Sequence, residues 1–562
     1  MRLINKHAFG VIAWLGLKSP GVEQAFEFAT NIAQLRNDIY NEALGGTDPV
    51  GRHPWQYPEV YGVMLAVLNS RPDAADHLTQ LFDREYFERV GCIQEIVAST
   101  RCLAKCEGLE IDIFKLLSTA SYVEGRRGVT FPAKTLQFWN AAFQSRLRSM
   151  VSTGRWQIDG SMGKPLTLLM GIRDFKATDH RDRIYALLGI SDEGLEPVIA
   201  LTEIPGVDDS PVLNLFRRVG TWMANKARDI GPGIDLMRNA ALKPNYEKPV
   251  KDVYRDLTRF LIRKSSRVLD VLGHVQHTSE PGQDSFPSWV PKWHEPRSVS
   301  VFSLEPFTAG ISAQGHYGHF AEIHDQSLSG ESLEPDCLRL DGFHVDQVEA
   351  VSDVIQFGLH GPIPAESIWN QLFDFLLFPR PNRRYVVNNR EPLDVAFLTS
   401  LNLGVIGALQ SATPHLATME NSNSVALDVC TRHAKANVAV WLSQYPRARE
   451  ASYPELNAAV QANTRIGIAE AFVRVVFGYC TNRRCYRTRS GLIGIGPQMM
   501  RPGDRVYVLL GVRLPFILRP REDHSILIGE AYLHHENILR GREVMSVRSR
   551  HGRFRIETLK LR

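Results

Sequence analysis

The sequence predicts an α+β chain, with a strand–helix unit of parallel-sheet type at its N-terminus, a mainly helical middle and a β-rich C-terminal module. Three observations predict it. Ala8 to Leu15 is a continuous apolar run closed by Gly16, the pattern of a parallel strand covered on both faces. Apolar residues then recur at three- and four-residue spacing through much of the first half of the chain. Near the C-terminus the pattern changes to short β-rich runs separated by turn residues.

Taken in order, Pro20 suits a first helical position after Ser19, and Val22, Phe26, Ala29, Ile32, Leu35 and Ile39 mark one face of a helix. A Gly- and Pro-containing loop, Gly45 to Pro58, leads to helical patterns at Val60 to Leu68 and Asp76 to Ala98. Further helices are predicted over Ile111 to Ala120, Lys134 to Met150, Pro165 to Ile172 and Val250 to Ile262. Residues 191–243 carry several Pro, Gly and Asp residues around one helical stretch, Val212 to Ala227, and read as an insertion. Trp289 and Trp293, in a proline-punctuated segment, are expected to anchor it across the body. Residues 296–335 and 378–395 read as linkers or long loops. The strands at the end are Leu492 to Ile495, Arg505 to Val512, Pro515 to Leu518 and Ile526 to Leu533, with turns at Pro502-Gly503-Asp504 and Arg521-Glu522-Asp523, and they predict a small antiparallel sheet or barrel.

Composition narrows the function. A chain of 562 residues, 44% hydrophobic and 22% charged, has material for a packed core. Its length suggests about three or four domains. Its 65 basic and 61 acidic side chains leave +4, not gathered into an arm or tail, so nucleic acid is not indicated. Seven scattered cysteines fit a reduced, cytoplasmic setting better than a disulfide framework. The close pairs Cys102/Cys106 and Cys480/Cys485 lack zinc-site spacing, and His534-His535 lacks further ordered ligands, so no metal is expected. No apolar run approaches the ~18 residues of a membrane span. The apolar run after Arg2 and Lys6 imitates a short signal peptide, but Lys18, Ser19 and Pro20 follow it as a turn into a helix.

Four segments, in order, resemble the fungal heterokaryon incompatibility (HET) domain proteins. They are Met1 to Gly16, ending Trp14-Leu15-Gly16; Arg84 to Ile96, similar to the family's "YF.R.W..QE"; Ala177 to Gly189, nearly the family's "ATD.RDRIYALLG"; and the C-terminal run through Gly491 to Pro497, Pro502-Gly503-Asp504 and Ile528 to Tyr532. Pro287 to Trp293 is a weaker match. The family's upstream "SY.WG" and "WIDA.CINQ" segments do not occur, so the resemblance implies an N-terminally truncated member, either a degenerate paralogue or a gene model that begins too late. It implies a division into a partial HET domain over 1–105 with its first strands missing, a helical region over 106–300, a loop-rich mixed region over 301–420 and a helix plus β-rich module over 421–562. It also implies a role in vegetative incompatibility, non-self recognition and programmed cell death. Such a protein works through other proteins, as incompatibility partners or as a homo-oligomer, and needs no cofactor.

HET domains share a distant α/β similarity with TIR domains, whose enzymatic members cleave NAD with a helical glutamate. The resemblance makes Glu95 the analogous catalytic candidate and NAD the candidate substrate. A carboxylate there stabilises or attacks the ribosyl cation as nicotinamide leaves. On one continuous helix Glu88, Gly91 and Glu95 share a face opposite Phe87, Val90, Ile93 and Val97. Gly91 stands where the family carries Trp, which removes a wall beside Glu95. The favoured expectation is a solvated or salt-bridged Glu95 and a protein that is not an enzyme.

Two other motifs are set aside as chemistry. His180-Arg181-Asp182 is shared with kinase catalytic loops, but the asparagine required five residues on is Leu187. Thr178 or Asp179 is instead expected to cap a helix beginning near Arg181, with Arg181, Asp182 and Arg183 fixing it to its neighbours. Gly494-x-Gly496-Pro497 lacks the rest of a dinucleotide fingerprint, and its glycines are expected to allow close strand packing.

Overall fold

The computed structural model describes residues 8–44, 71–99, 101–123, 165–188, 242–264, 269–302, 307–311, 334–356, 385, 393–401, 403, 476, 478–544 and 554–562. The helices expected at Val60 to Leu68 and Lys134 to Met150, and residues 191–241 of the insertion, lie outside them. The fold is α+β, in two compact units: Met1–Val253 with Trp293–Pro296, and Tyr254–Lys292 with Arg297–Arg562.

In the first unit β1 (Val11–Trp14) pairs in parallel with β2 (Cys102–Cys106), Val11 opposite Cys102 and Trp14 opposite Lys105. The parallel pairing requires a long crossover, which α1 (Val22–Leu44), α2 (Pro72–Phe82) and α3 (Val90–Ala98) help to form. β2 turns back antiparallel into β3 (Leu109–Asp112) through Glu107 and Gly108, both at positive φ. α4 (Ile113–Val123) follows at once, its first turn capped by Asp112 Oδ1 accepting from Phe114 N at 2.8 Å. The apolar face of α1, including Phe26, Phe28, Ala29 and Ile32, packs with Leu116, Leu117 and Ala120 of α4. Cys102, Ala104 and Cys106 alternate into this core at zero exposure, so the even Cys102/Cys106 spacing is strand periodicity.

Two expectations are corrected here. β1 is covered on one face only: Ala13 and Leu15 are buried, while Ile12 and Trp14 face outward with no described element packed over them; among the described residues the sheet order is β1-β2-β3. The helix expected over Asp76 to Ala98 is broken into α2, a 3₁₀ turn at Glu85–Glu88, and α3. Arg89 between the last two is extended at φ −99°, ψ 129°. A backbone bridge explains the break: Lys176 N donates to Glu88 O at 2.6 Å and Val90 N to Lys176 O at 3.1 Å, diverting groups that a continuous helix would use internally. Glu88 and Glu95 therefore do not share a helix face.

The second unit is a β-barrel built on β4 (Leu338–Val351), β5 (Arg483–Thr488), β6 (Ile493–Pro497), β7 (Arg505–Leu509), β8 (Phe516–Pro520), β9 (Ser525–Glu530), β10 (Tyr532–Leu533) and β11 (Ile556–Leu561). The pairings β4–β11, β11–β9, β9–β8, β8–β7 and β7–β4 close a ring. β5, β6 and β10 extend from β4. Only the β11–β9 contact in the ring is parallel. β4 serves three neighbours because its register shifts between His344 and Asp346 and again between Val348 and Ala350, bulges that bend a strand from one partner to the next. Phe343, Val348, Val506, Val508, Ile517 and Ile528 fill its interior. The turn at Pro502-Gly503-Asp504 places Gly503 at φ 94°, and Asp504 Oδ2 accepts from Arg501 N at 2.9 Å. Gly494 is needed for close approach: a Cβ there would lie 2.1 Å from Tyr532 O and 2.7 Å from the Tyr486 ring.

Candidate functional site

Glu95 lies on α3, the helix that the Lys176 bridge forces to start afresh at Val90. Val90, Cys92, Ile93 and Ile96 are buried, and Glu95 is half-buried beside Tyr86 of the preceding 3₁₀ turn. Burial raises the Glu95 carboxyl above its ordinary range, opposed by the Arg89 charge and by the Tyr86 hydroxyl. Burial likewise pushes the Tyr86 phenol up and the Cys92 thiol up to about 12. Glu95 is thus more enclosed than a solvated helix residue, and its phenol neighbour is a group that sequence spacing alone does not single out. Such a carboxyl can hold or release a proton nearer neutrality than an exposed one. Gly91, one turn before it, is exposed with open space around its Cα, so the site is unwalled on that side. Gly91→Ala should raise the stability of the first unit by about 1 kcal/mol through helix propensity; chemical denaturation of wild type and variant checks it.

At the carboxyl ends of β1 and β2 a second residue organises the backbone. Arg84 donates to Leu15 O at 2.7 Å, Leu17 O at 3.1 Å, Ser19 Oγ at 2.7 Å and Cys106 Sγ at 3.3 Å. Its donors hold the β1–α1 turn, where Gly16 and Gly21 take positive φ.

The Arg181-Asp182-Arg183 motif is a brace. Asp179 Oδ1 accepts from Arg181 N at 2.9 Å at the start of α6 (Asp182–Leu188), which follows α5 (Pro165–Ile172). The Arg181 guanidinium is paired with Asp179 through Nε at 2.8 Å and Nη2 at 2.7 Å, and its Nη1 donates to the carbonyls of Tyr246 and Lys248. Tyr246 Oη donates to Asp182 Oδ1 at 2.6 Å, and buried Arg183 donates to Arg173 O at 2.7 Å. Tyr185 Oη donates to Asn245 O at 2.9 Å. Ile184, Leu187 and Leu188 are buried. Every polar member of the motif is thus spent on holding neighbouring segments.

In the barrel, Arg483 and Glu530 form an ion pair at 3.2 Å with side chains 1% and 2% exposed. Arg483 also donates to Ser300 O at 2.8 Å and Glu530 O at 3.2 Å, and its guanidinium stands 3.5 Å from the centroid of the Phe302 ring. Glu530 Oε1 accepts from Phe302 N as well. The pair lines an open depression of about 290 Å³, solvent space included, with His277, Asn482, Gln498 and Gly529. Glu530 is the sole charge in the otherwise apolar β9, whereas Arg483 stands among two further arginines of β5 and has no such sequence signal.

His277, in the same wall, is buried with Nε2 2.9 Å from Leu527 O, and burial, reinforced by the Lys292 charge, lowers its pKa from 6.5. Burial also lowers that of His344, beside Arg505. A histidine held neutral in the fold binds more protons when unfolded, so stability should fall as pH drops below about 6.5. Urea midpoints between pH 7.5 and 5, flattened in His277→Gln and His344→Gln, check this.

The six described cysteines are free and buried. Among the described residues no group of three or more His, Cys, Asp or Glu is placed to hold a metal, and no helix is long and apolar enough to cross a membrane.

These features define a modular protein with a ring-closed barrel whose best-formed motifs are architectural. Residues 443–551 match the Het-6 beta-barrel domain family. Over 388 residues the chain is 41% identical to "Heterokaryon incompatibility protein 6, OR allele" of Neurospora crassa, a match covering 65% of this chain and 49% of that protein. Over these stretches the chain is similar to fungal heterokaryon incompatibility proteins. It spans about half the length of the curated relative it matches. No solved structure matches it. The ring reaches beyond the matched segment, because β4 and β11 lie outside residues 443–551.

Proposed function

We propose that this chain acts in fungal vegetative incompatibility, recognising non-self through protein contacts in the cytoplasm and contributing to programmed death of incompatible fusion cells. The observation that carries this reading is the 41% identity to a heterokaryon incompatibility protein, with the Het-6 barrel in place. It is supported by a physical point: the Asp179–Arg181 brace and the Arg483–Glu530 pair spend their polar groups internally, which suits modules that present surfaces. The test is genetic. Deleting the locus in its host should let at least one normally incompatible pairing form viable heterokaryons, and re-expression should restore the death reaction. If every pairing is unchanged by deletion and by overexpression, the reading fails.

A second reading rests on half-buried Glu95 with its raised carboxyl beside Tyr86 and on the parallel β1–β2 pair. In it the first unit is a TIR-like remnant that cleaves NAD, Glu95 stabilising the ribosyl cation as the glycosidic bond to nicotinamide breaks. Purified full-length protein would then consume NAD, and Glu95→Gln would abolish that consumption while leaving the fold intact. NAD left untouched by folded protein removes this reading.

A further inference from the structure

We propose that the second unit carries a nucleic-acid-binding surface, an arginine cluster where β4, β5 and β7 meet that takes the phosphodiester backbone without reading base sequence. Charge is unevenly divided along the chain. The whole chain is only +4, yet residues 483–562 hold 16 arginines and one lysine against seven aspartates and glutamates, a net +10 that leaves the preceding 482 residues at −6. The excess sits in a folded barrel and not in an arm or tail, so the balance of the whole sequence conceals it. It is almost entirely arginine, whose planar fork of donors matches phosphate oxygens two at a time. Arg483 and Arg519 are buried in ion pairs and hold the core.

Four of the others converge on one stretch of β4. Arg505 opens β7 opposite Gln347, and Arg489, just past β5, donates its backbone N–H to Gln347 O at 2.9 Å from the other side. The Gly503 turn brings Arg501 to the same place, because Gly503 N donates to Val348 O at 2.9 Å. Arg487 of β5 stands opposite Ala350. Carboxylates offset only part of this charge. Glu349 pairs with Arg487 at 3.0 Å, Glu280 is shared between Arg501 and buried Arg519, Asp504 is spent on Arg519, and Asp346 accepts from the backbone amides of Gln347 and Ser490. Arg489 and Arg505 are exposed, and no described carboxylate pairs with either. Other polyanions suit the surface less well. A protein interface needs an apolar centre, and stable membrane anchoring needs an apolar second signal. Among the described residues of this unit, Ile556 is the exposed large apolar side chain. Nucleic-acid interfaces are polar and positively charged, which is what the cluster offers. The inference stands apart from the incompatibility reading.

The experiment uses full-length protein and fluorescence polarisation of a labelled single-stranded oligouridylate RNA. Each phosphate contact to a single strand contributes about −0.7 to the slope of log K against log salt, so four arginines give about −2.8. Affinity should therefore fall roughly 50-fold between about 50 and 200 mM salt. Arg489→Gln/Arg505→Gln leaves two contacts and should bind more weakly at low salt, with a fall of only about sevenfold over the same range. Both side chains are exposed, so the circular dichroism should not change. Arg339→Gln removes an exposed charge eight residues before Gln347 on β4, roughly 26 Å away, and should bind as wild type does. Polyglutamate and phosphatidylserine vesicles should bind more weakly than the RNA. No RNA binding at low salt, a salt dependence unchanged in the double variant, an equal loss in Arg339→Gln, or binding of polyglutamate or of the vesicles as tight as that of the RNA would each overturn the proposal.

Discussion

Glu530→Ala will destabilise the barrel by about 3–5 kcal/mol, the range expected when one member of a buried ion pair is removed. Arg483 is 1% exposed and keeps its charge when its partner is lost. It would retain carbonyl acceptors at Ser300 and Glu530, yet neither neutralises the guanidinium, and its Nε has no acceptor even now. Burial already pulls the Arg483 pKa down, with Glu530 the main opposing influence. Glu530 also accepts from Phe302 N, so the substitution orphans a buried amide as well. The double variant Arg483→Met/Glu530→Leu removes both charges together and should recover most of the loss, because apolar replacement of a buried pair is often neutral. Urea denaturation of the three proteins decides it: a Glu530→Ala midpoint equal to wild type would show that the pair carries no net weight. The pair joins β5, which extends from β4, to β9 of the ring, so its loss should also loosen exchange protection in both strands.

How much of this is legible in the sequence follows from how local each signal is. β6 to β9 can be read because each is a short apolar run bounded by turn chemistry; the Arg521–His524 turn closes the β8–β9 hairpin, and the Gly503 turn joins β6 to β7, which do not pair with each other. α5 runs from Pro165 to Ile172, the bounds that its apolar spacing predicts. β4 escapes notice although its residues alternate, because its two register shifts interrupt the period of two and because its partners lie more than 130 residues away in β5 and β7 or near the chain end in β11. β2 and β3 are masked by the cysteine pair, which invites a metal or disulfide question instead of a strand reading. The break at Arg89 has no local signal, since the group that causes it is Lys176, brought there by the fold. At the candidate site the Asp179 cap and the buried face of α6 are readable from spacing, whereas the enclosure of Glu95 by Tyr86 depends on that same non-local break. Gly494 and Gly496 are packing glycines, as their motif implies, the reason being close approach of the Tyr532 backbone and the Met500 side chain.

Trp289→Ala should cost the second unit about 3–5 kcal/mol, the usual range for deleting a buried large aromatic. The indole has zero exposure, and its Nε1 donates to Asp336 O at 3.0 Å. Arg259 of α7 (Val250–Lys264) covers the ring at 5.1 Å from its centroid and donates to Pro335 O at 2.7 Å and Cys337 O at 2.8 Å. Ring and guanidinium together therefore clamp the three residues that lead into β4. The neighbouring Ser288 hydroxyl donates to Arg562 O at 2.5 Å and accepts from Leu527 N at 2.9 Å, linking the same proline-stiffened segment to β9 and β11. Since β4 pairs with three strands, slack at its start propagates to the ring. Trp289→Phe separates the contributions: it keeps most of the apolar area and a face for Arg259 but leaves the Asp336 carbonyl without its donor, a loss of about 1–3 kcal/mol. Hydrogen exchange should then report faster exchange in β4, β7 and β11 in Trp289→Ala, a smaller change in Trp289→Phe, and none in β1 to β3. Equal acceleration in both units would mean that the tryptophan holds the whole chain rather than the entry of β4 into the barrel.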